Sequence, residues 1–460
     1  MNGRLSELAH LIDAELHGRD GDFAGASIDT RRLPRGALFF ALAGEHVDGH
    51  DFVARAASLG AAAAVVDRQV DSPLPQLQVV DVQAALQQAG AAARRAFAGP
   101  VVAVTGSNGK TTVKQMLAAI LAEAGPVLAT EGNLNNHLGV PLTLLRLNAG
   151  VARAVVEMGA SHAGEIAMLC ELAQPDVAVV TNAGSAHLEG FGSYEGVARA
   201  KGEIFAGLSA EGTAVINADD DYAGLWHELA GHRSQLCFSR SGGAGVDVYA
   251  SHESLTGQGS RFTLHTPTGA ADVDLALAGA HNINNALAAA AAASALNLDA
   301  DLIARGLAGM QAVGGRLAIT AACHGARLVD DSYNANPGSL KAAFEWLSYQ
   351  PAPRWAVLGD MGELGDYAES AHDQAGRAAR AAGVERLWAV GPMSQRTVEA
   401  FGNGAQWFAD HASLIDALLE ALAAADRAVT VLVKGSRSAR MDRVADALRV
   451  VDSAKAGVSC

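Results

Sequence analysis

The chain has 460 residues, half of them hydrophobic and 18% charged, with a formal net charge of −15. At ~150 residues per domain this suggests about three domains with sizeable cores, and it excludes wholesale disorder. The acidic balance argues against nonspecific nucleic-acid or anionic-membrane binding, and 50 glycines without a G-X-Y period exclude collagen.

Residues 1–18 set Leu5, Leu8, Leu11, Ile12 and Leu16 at helical spacing, with Glu7, Asp13 and Glu15 between them. This predicts an amphipathic helix rather than a signal peptide. Strand-like runs at 37–43, 63–67 and 77–80, with turn signals such as Asp48-Gly49, make residues 1–81 a small α/β domain. A helix over 82–97 leads to Gly99-Pro100.

From there apolar strand runs alternate with helices. Strands are expected at 101–104, 154–156, 177–180 and 214–216, and a helix follows the first through Val113, Met116, Leu117, Ile120 and Leu121. Such alternation implies a parallel sheet covered on both faces. Residues 238–275 lack a helical period and predict added antiparallel strands, and an Ala-rich helix follows Gly279. Its apolar run, 286–296, is too short to span a membrane. Gly314-Gly315 marks a second boundary. Beyond it strand runs at 328–330, 355–358, 387–390, 406–409 and 429–433 predict a third, doubly wound domain. Cys170, Cys237, Cys323 and Cys460 are scattered without a CxxC pair, so neither a disulfide framework nor a zinc site is expected, and a reducing cytosol fits.

Chemistry concentrates where strand 101–104 ends. Thr105-Gly106-Ser107-Asn108-Gly109-Lys110-Thr111-Thr112 joins a buried strand to an amphipathic helix. Glycines there let the backbone wrap an anion, and the helix N-terminus points N–H groups at it. Lys110 would contact the outer phosphates of ATP, and the Thr111 hydroxyl would bind Mg²⁺. The loop is a shortened GxxGK[ST] form, since Val104 stands where the longer form has glycine. A tight turn bearing a surface lysine is the bland alternative.

Glu157 follows strand 154–156, at the sheet edge where ligands of such folds bind, and could hold Mg²⁺ or be a solvated strand-end residue. His187 lies just past the next strand at the same edge. Lys201 shares a helical face with Val197, Ile204, Phe205 and Leu208, so its ammonium is directed into apolar surroundings. It could pair with Glu157 or with phosphates, snorkel to water, or be carbamylated, which turns the amine into a carboxylate able to accept a metal.

These residues resemble the Mur ligases of peptidoglycan synthesis across essentially the whole chain. The phosphate loop, Glu157 in Glu-Met-Gly-Ala, His187 in Asn-Ala-Gly-Ser-Ala-His-Leu-Glu and Lys201 in Ala-Lys-Gly-Glu-Ile are similar to theirs. The resemblance implies an α/β fold of three domains: a small N-terminal α/β domain, a central P-loop parallel-sheet domain, and a C-terminal Rossmann-like doubly wound domain. It implies UDP-muramyl-peptide binding by residues 1–81, ATP binding by 82–313, and dipeptide and nucleotide contacts from 314–460.

Gly106 to Thr112 would bind ATP, with Asn282 and Asn285 of His-Asn-Ile-Asn-Asn-Ala on the adenine side, Arg316 on the phosphates and Asp331 on the ribose. Two Mg²⁺ ions would be held by Thr111, Glu157, His187 and a carbamylated Lys201. With Lys110, the last three are the expected catalytic residues.

Residues 131–141, 331–337 and 358–365 are similar to the branch that adds D-alanyl-D-alanine to a UDP-N-acetylmuramoyl-tripeptide. That implies amide formation through an acyl phosphate, in the bacterial cytoplasm, by a monomer without nucleic-acid or membrane partners. Ser27, Thr30, Arg31 and His50 resemble UDP-end contacts, while Asn334, Asn336 and Lys434 would face the peptide end. The alternatives are another Mur-type or folylpolyglutamate-synthase-like ligase, a P-loop ATPase without ligation, or a noncatalytic nucleotide-gated module.

Overall fold

The computed structural model describes residues 1–311 and 314–449. The N-terminal helix is shorter than its periodicity predicts and spans Leu5–Leu11. Asp13 adopts φ 52, which ends the helix, and Leu16 lies instead on the edge strand Glu15–His17. That strand begins a five-stranded sheet ordered Glu15–His17, Gln76–Gln78, Ala63–Val66, Leu38–Phe40, Ala26–Ser27.

The helix Val82–Ala96 buries Val82, Ala85, Leu86, Ala89 and Ala93 against this sheet's core, alongside Leu142 and Leu145. One apolar cluster therefore ties the first unit to the second.

The second sheet has nine strands. Six are parallel: Val127–Ala129, Arg153–Glu157, Val101–Thr105, Val177–Val180, Thr213–Asn217 and Ser234–Ser239. Val101–Thr105 is buried at every residue, as a strand covered on both faces must be. The expected antiparallel strands are Val248–Leu255, Ser260–Thr266 and Gly269–Leu275, though the first of them joins Ser234–Ser239 in parallel. One face packs on the phosphate-loop helix Lys110–Ala122 and the Ala-rich helix Ala280–Ala295. The other packs on helices Glu165–Ala173 and Tyr194–Ala206.

Strand Val101–Thr105 lies between Arg153–Glu157 and Val177–Val180. The chain leaves it in one direction and returns on its other side, so its carboxyl end opens a crevice where ligands bind in such sheets.

The third sheet runs Ala318–Ala321, Arg327–Asp331, Thr430–Lys434, Arg354–Gly359, Arg386–Val390, Ala405–Phe408. Only the first pairing is antiparallel. Apolar clusters on both faces make it doubly wound. Cys170 and Cys237 are buried and free. Cys323 is disulfide-bonded, a departure from the expectation drawn from scattered cysteines. Cys460 lies outside the described residues.

Candidate active site at the junction of two sheets

The phosphate loop is laced to the neighbouring strand end. Ser107 N–H donates to Asn182 O at 2.9 Å, and Asn108 N–H donates to Asn182 Oδ1 at 3.0 Å. The Thr181 hydroxyl donates to Asn108 O at 2.6 Å. Gly106 sits at φ 143, and a Cβ there would stand 1.9 Å from Thr181 Oγ1. Gly106→Ala is therefore expected to distort the loop and weaken ADP binding about 10- to 100-fold in calorimetry. Unchanged affinity would remove the loop from nucleotide binding.

The Lys110 ammonium folds onto the loop's own carbonyls, Gly106 O at 2.6 Å and Ser107 O at 3.2 Å. Burial, with Arg316 adding repulsion, lowers its pKa to about 8. Thr111 Oγ1 donates to Glu157 Oε1 at 3.2 Å and accepts from Arg316 Nη2 at 2.9 Å. Arg316 stacks on Tyr333, 4.2 Å from the ring centroid. The third unit thus reaches the phosphate loop directly, and Asn336 Nδ2 adds a bond to Asn108 Oδ1 at 2.8 Å.

Glu157 is buried. Its Oε1 also accepts from Asn135 Nδ2 at 2.9 Å, and its N–H donates to Thr130 Oγ1 at 3.0 Å. Its Oε2 lies 3.2 Å from Lys114 Nζ without hydrogen-bond alignment, so that oxygen makes no hydrogen bond. Burial would raise its pKa, but Lys114 and Lys110 more than offset this and hold it low.

Lys201 is fully buried and donates to Ala160 O at 3.0 Å, with its Nζ 4.9 Å from the Phe191 ring centroid. Among the described residues it forms no ion pair with Glu157 or any other carboxylate. Burial, and next Lys110, lower its pKa to about 7. His187 takes φ 58 and packs edge-on against the same Phe191 ring. Its Nδ1 is 2.6 Å from Glu363 Oε2 of the third unit, at ion-pair distance but not aligned as a hydrogen bond.

A cleft of about 810 Å³ gathers most of these groups, though Gly106 and Lys201 do not line it. Ser107 to Thr112, Glu157, His187, Asn282, Asn285, Arg316, Asp331, Asn334, Asn336 and Lys434 all line it. Asn285 Nδ2 donates to Asn282 Oδ1 at 3.1 Å, beside Gly109. Lys434, expected at the peptide end, is buried and donates to Asp331 Oδ2 at 2.5 Å and to Asn334 O at 2.9 Å. Burial raises the Asp331 pKa, and Lys434 offsets part of that. Burial, with Lys434 second, lowers that of His281, which also lines the cleft, to about 4. Asn336 caps the helix Pro337–Ser348 through its Oδ1, so both ends of its amide are already used.

Ser27, Thr30, Arg31 and His50 do not line the cleft. Ser27 Oγ donates to Asp29 O, Thr30 is buried, and Arg31 pairs with Asp29. His50 needs correction as a substrate contact. It is buried with Nδ1 2.7 Å from Asp48 and Nε2 3.1 Å from Asp67, so neither ring nitrogen is free for a ligand.

Sequence reasoning passed over Lys114, Asn135, His281, Tyr333 and Glu363. Lys114 carried a signal, since it interrupts the apolar face of the phosphate-loop helix. Asn135 and Glu363 stood inside quoted motifs without a role.

Among the described residues no three His, Cys, Asp or Glu side chains cluster tightly enough to hold a metal alone. Mg²⁺ suits such a site, because it keeps several waters and takes one or two protein ligands plus phosphate oxygens. Glu157, whose Oε2 is ion-paired with Lys114 and whose Oε1 meets the Thr111 hydroxyl, is a single carboxylate that with Thr111 fits that demand.

Profiles described as the Mur ligase family catalytic domain, the Mur ligase middle domain and the Mur ligase glutamate ligase domain match residues 22–125, 104–293 and 315–437. The UDP-N-acetylmuramoyl-tripeptide–D-alanyl-D-alanine ligase of Escherichia coli (strain K12) is 47% identical over 445 residues, 97% of this chain and 98% of its own. A crystal structure of MurF from Acinetobacter baumannii matches with TM-score 0.90 at 36% identity, covering 96% of this chain and 98% of that one. MurF ligase from Thermotoga maritima, in complex with ADP, matches with TM-score 0.79 at 29% identity, covering 92% and 96%.

Proposed function

The chain belongs to the Mur ligase family, and from that premise we propose that it joins D-alanyl-D-alanine to UDP-N-acetylmuramoyl-tripeptide, using ATP, in peptidoglycan precursor synthesis. The observation that carries this reading is the full-length likeness to an enzyme of that name. The convergence of Lys110, Thr111, Glu157 and Arg316 on one cleft supplies the chemistry.

A carboxylate is a poor electrophile because it has no usable leaving group. An oxygen of the tripeptide's terminal carboxylate attacks the γ-phosphorus of ATP, and ADP leaves. The amine of D-Ala-D-Ala then attacks the acyl carbon, loses a proton, and the tetrahedral intermediate expels phosphate. The protein's part is positioning and charge neutralisation. Lys110 exchanges its loop carbonyls for phosphate oxygens. Arg316, reaching Thr111 from the third unit, adds a second cation once that unit is closed. Asn282 and Asn285 take the adenine side and Asp331 the ribose.

Mg²⁺ would supply further neutralisation of carboxylate and triphosphate, held at one position by Thr111 and Glu157 and at a second by His187 and a carbamylated Lys201. Ser27, Thr30 and Arg31 in residues 1–81 serve the UDP end. Residues 82–313 serve ATP, and 314–460, with Asn334, the dipeptide. The chain works as a cytoplasmic monomer. No helix among the described residues is long and apolar enough to cross a membrane.

The test is phosphate release across a matrix of UDP-muramyl peptides and amine donors. Release should require both UDP-tripeptide and D-Ala-D-Ala. Equal release without the amine would favour a plain ATPase.

A further inference from the structure

One contact at the domain junction serves neither nucleotide binding nor the hydrophobic core. Glu363, in the loop after strand Arg354–Gly359, places its Oε2 2.6 Å from His187 Nδ1. The two residues come from different sheets. Glu189 N–H also donates to Glu363 O at 3.3 Å, and Tyr194 packs edge-on against Tyr367 from the same loop region.

Both members of the pair adopt left-handed backbone, His187 at φ 58 and Glu363 at φ 61. Neither is glycine, so both carry strain. The Glu363 side chain is 61% exposed, and an ion pair so exposed adds little stability. Stability therefore does not explain why two strained residues meet. Orientation does. A histidine at a functional site is set in tautomer and direction by what its other ring nitrogen meets. Among the described residues His187 Nδ1 has no aligned hydrogen bond, and Glu363 Oε2 is its partner at ion-pair distance. The ring also rests on Phe191, which lies under the Lys201 ammonium, so turning it disturbs the packing of that lysine.

We propose that Glu363 is a positioning residue: docking of the third unit delivers its carboxylate to His187 Nδ1 and so fixes the ring, leaving Nε2 to face the site. This rests on the ligase reading for what His187 does, but the contact itself is independent of that reading. It couples closure to site assembly, because the carboxylate arrives only when the two sheets are together.

Glycine suits φ 61, so Glu363→Gly removes the carboxylate while relaxing the backbone. Its thermal unfolding and ADP affinity should match the parent's. Its kcat for amide formation should fall about 10- to 100-fold with the KM for ATP within about twofold, and Glu363→Gln should recover part of the loss. Histidine-selective ¹⁵N NMR gives a readout apart from activity: the ring resonance missing in His187→Gln should shift in Glu363→Gly. A parental kcat in Glu363→Gly, or an unmoved His187 resonance, would overturn the proposal. Should the parent make no amide product, the ligase reading fails on its own, and the NMR comparison still decides the positioning role.

Discussion

Lys201→Ala should lose about 100- to 1,000-fold in ligase activity and regain part of it when short-chain carboxylic acids are added. The lysine is fully buried, pairs with no carboxylate among the described residues, and gives its one hydrogen bond to a backbone carbonyl. Burial lowers its pKa to about 7. At pH 8 most of the amine is then neutral, whereas at the unshifted value of 10.5 nearly all of it would be charged. Only the neutral amine adds CO₂, forming an N–C bond and releasing a proton to give a carbamate. Burial thus leaves the Lys201 amine largely neutral at ordinary pH, as the proposed carbamylation requires.

A small acid entering the space left by Lys201→Ala would restore a carboxylate near its place. Activity of the parent should decline as pH falls below about 7, where the amine protonates, and added bicarbonate should slow that decline. Full activity of Lys201→Ala without additive would remove Lys201 from the site.

Lys114→Met is the second large effect. Its ammonium is completely buried 3.2 Å from Glu157 Oε2. Removing one partner of a buried pair leaves an uncompensated charge, which costs about 3–5 kcal/mol. Lys110 still faces Glu157, so the lower end, ~3 kcal/mol, is expected here. A chain of several units does not unfold in one step. Amide exchange in peptides spanning 101–122 therefore reports the loss locally, as roughly 100-fold faster exchange. Lys114→Met combined with Glu157→Gln should recover most of the protection while remaining inactive. Parental exchange in the single variant would mean that the pair contributes nothing.

The contrast between Lys110 and Lys114 shows what could be read without coordinates. Lys110 stands in a local signal: buried strand, glycine turn and helix within a dozen residues. The central parallel strands were legible for a similar reason, since burial on both faces demands unbroken apolar runs such as 177–180, whereas the short edge strand Val127–Ala129 was not among them. Ala318–Ala321 was missed because it is a short edge strand and none of its residues is buried. Strand Ser234–Ser239 begins with polar residues and was read only from Phe238 onward.

Site residues whose meaning depends on distant partners were read least well. Lys434 was placed at the peptide end, and its Asp331 partner, 103 residues away, was read separately as a ribose contact. Arg316 and Thr111, 205 residues apart, meet only because two sheets dock. His50 resembled a ligand until Asp48 and Asp67 took both its nitrogens. The net charge of −15 said nothing of the site, where Lys110, Lys434 and Arg316 gather along one cleft.

Activation of the tripeptide carboxylate by ATP, followed by capture with D-Ala-D-Ala, is tested most directly by isotope transfer. UDP-N-acetylmuramoyl-tripeptide labelled with ¹⁸O at both oxygens of its terminal carboxylate is incubated with ATP, Mg²⁺ and D-Ala-D-Ala. Mass spectrometry should find UDP-pentapeptide retaining one ¹⁸O in the new amide, and one ¹⁸O in each phosphate released. Unlabelled phosphate, or phosphate without pentapeptide, would contradict it.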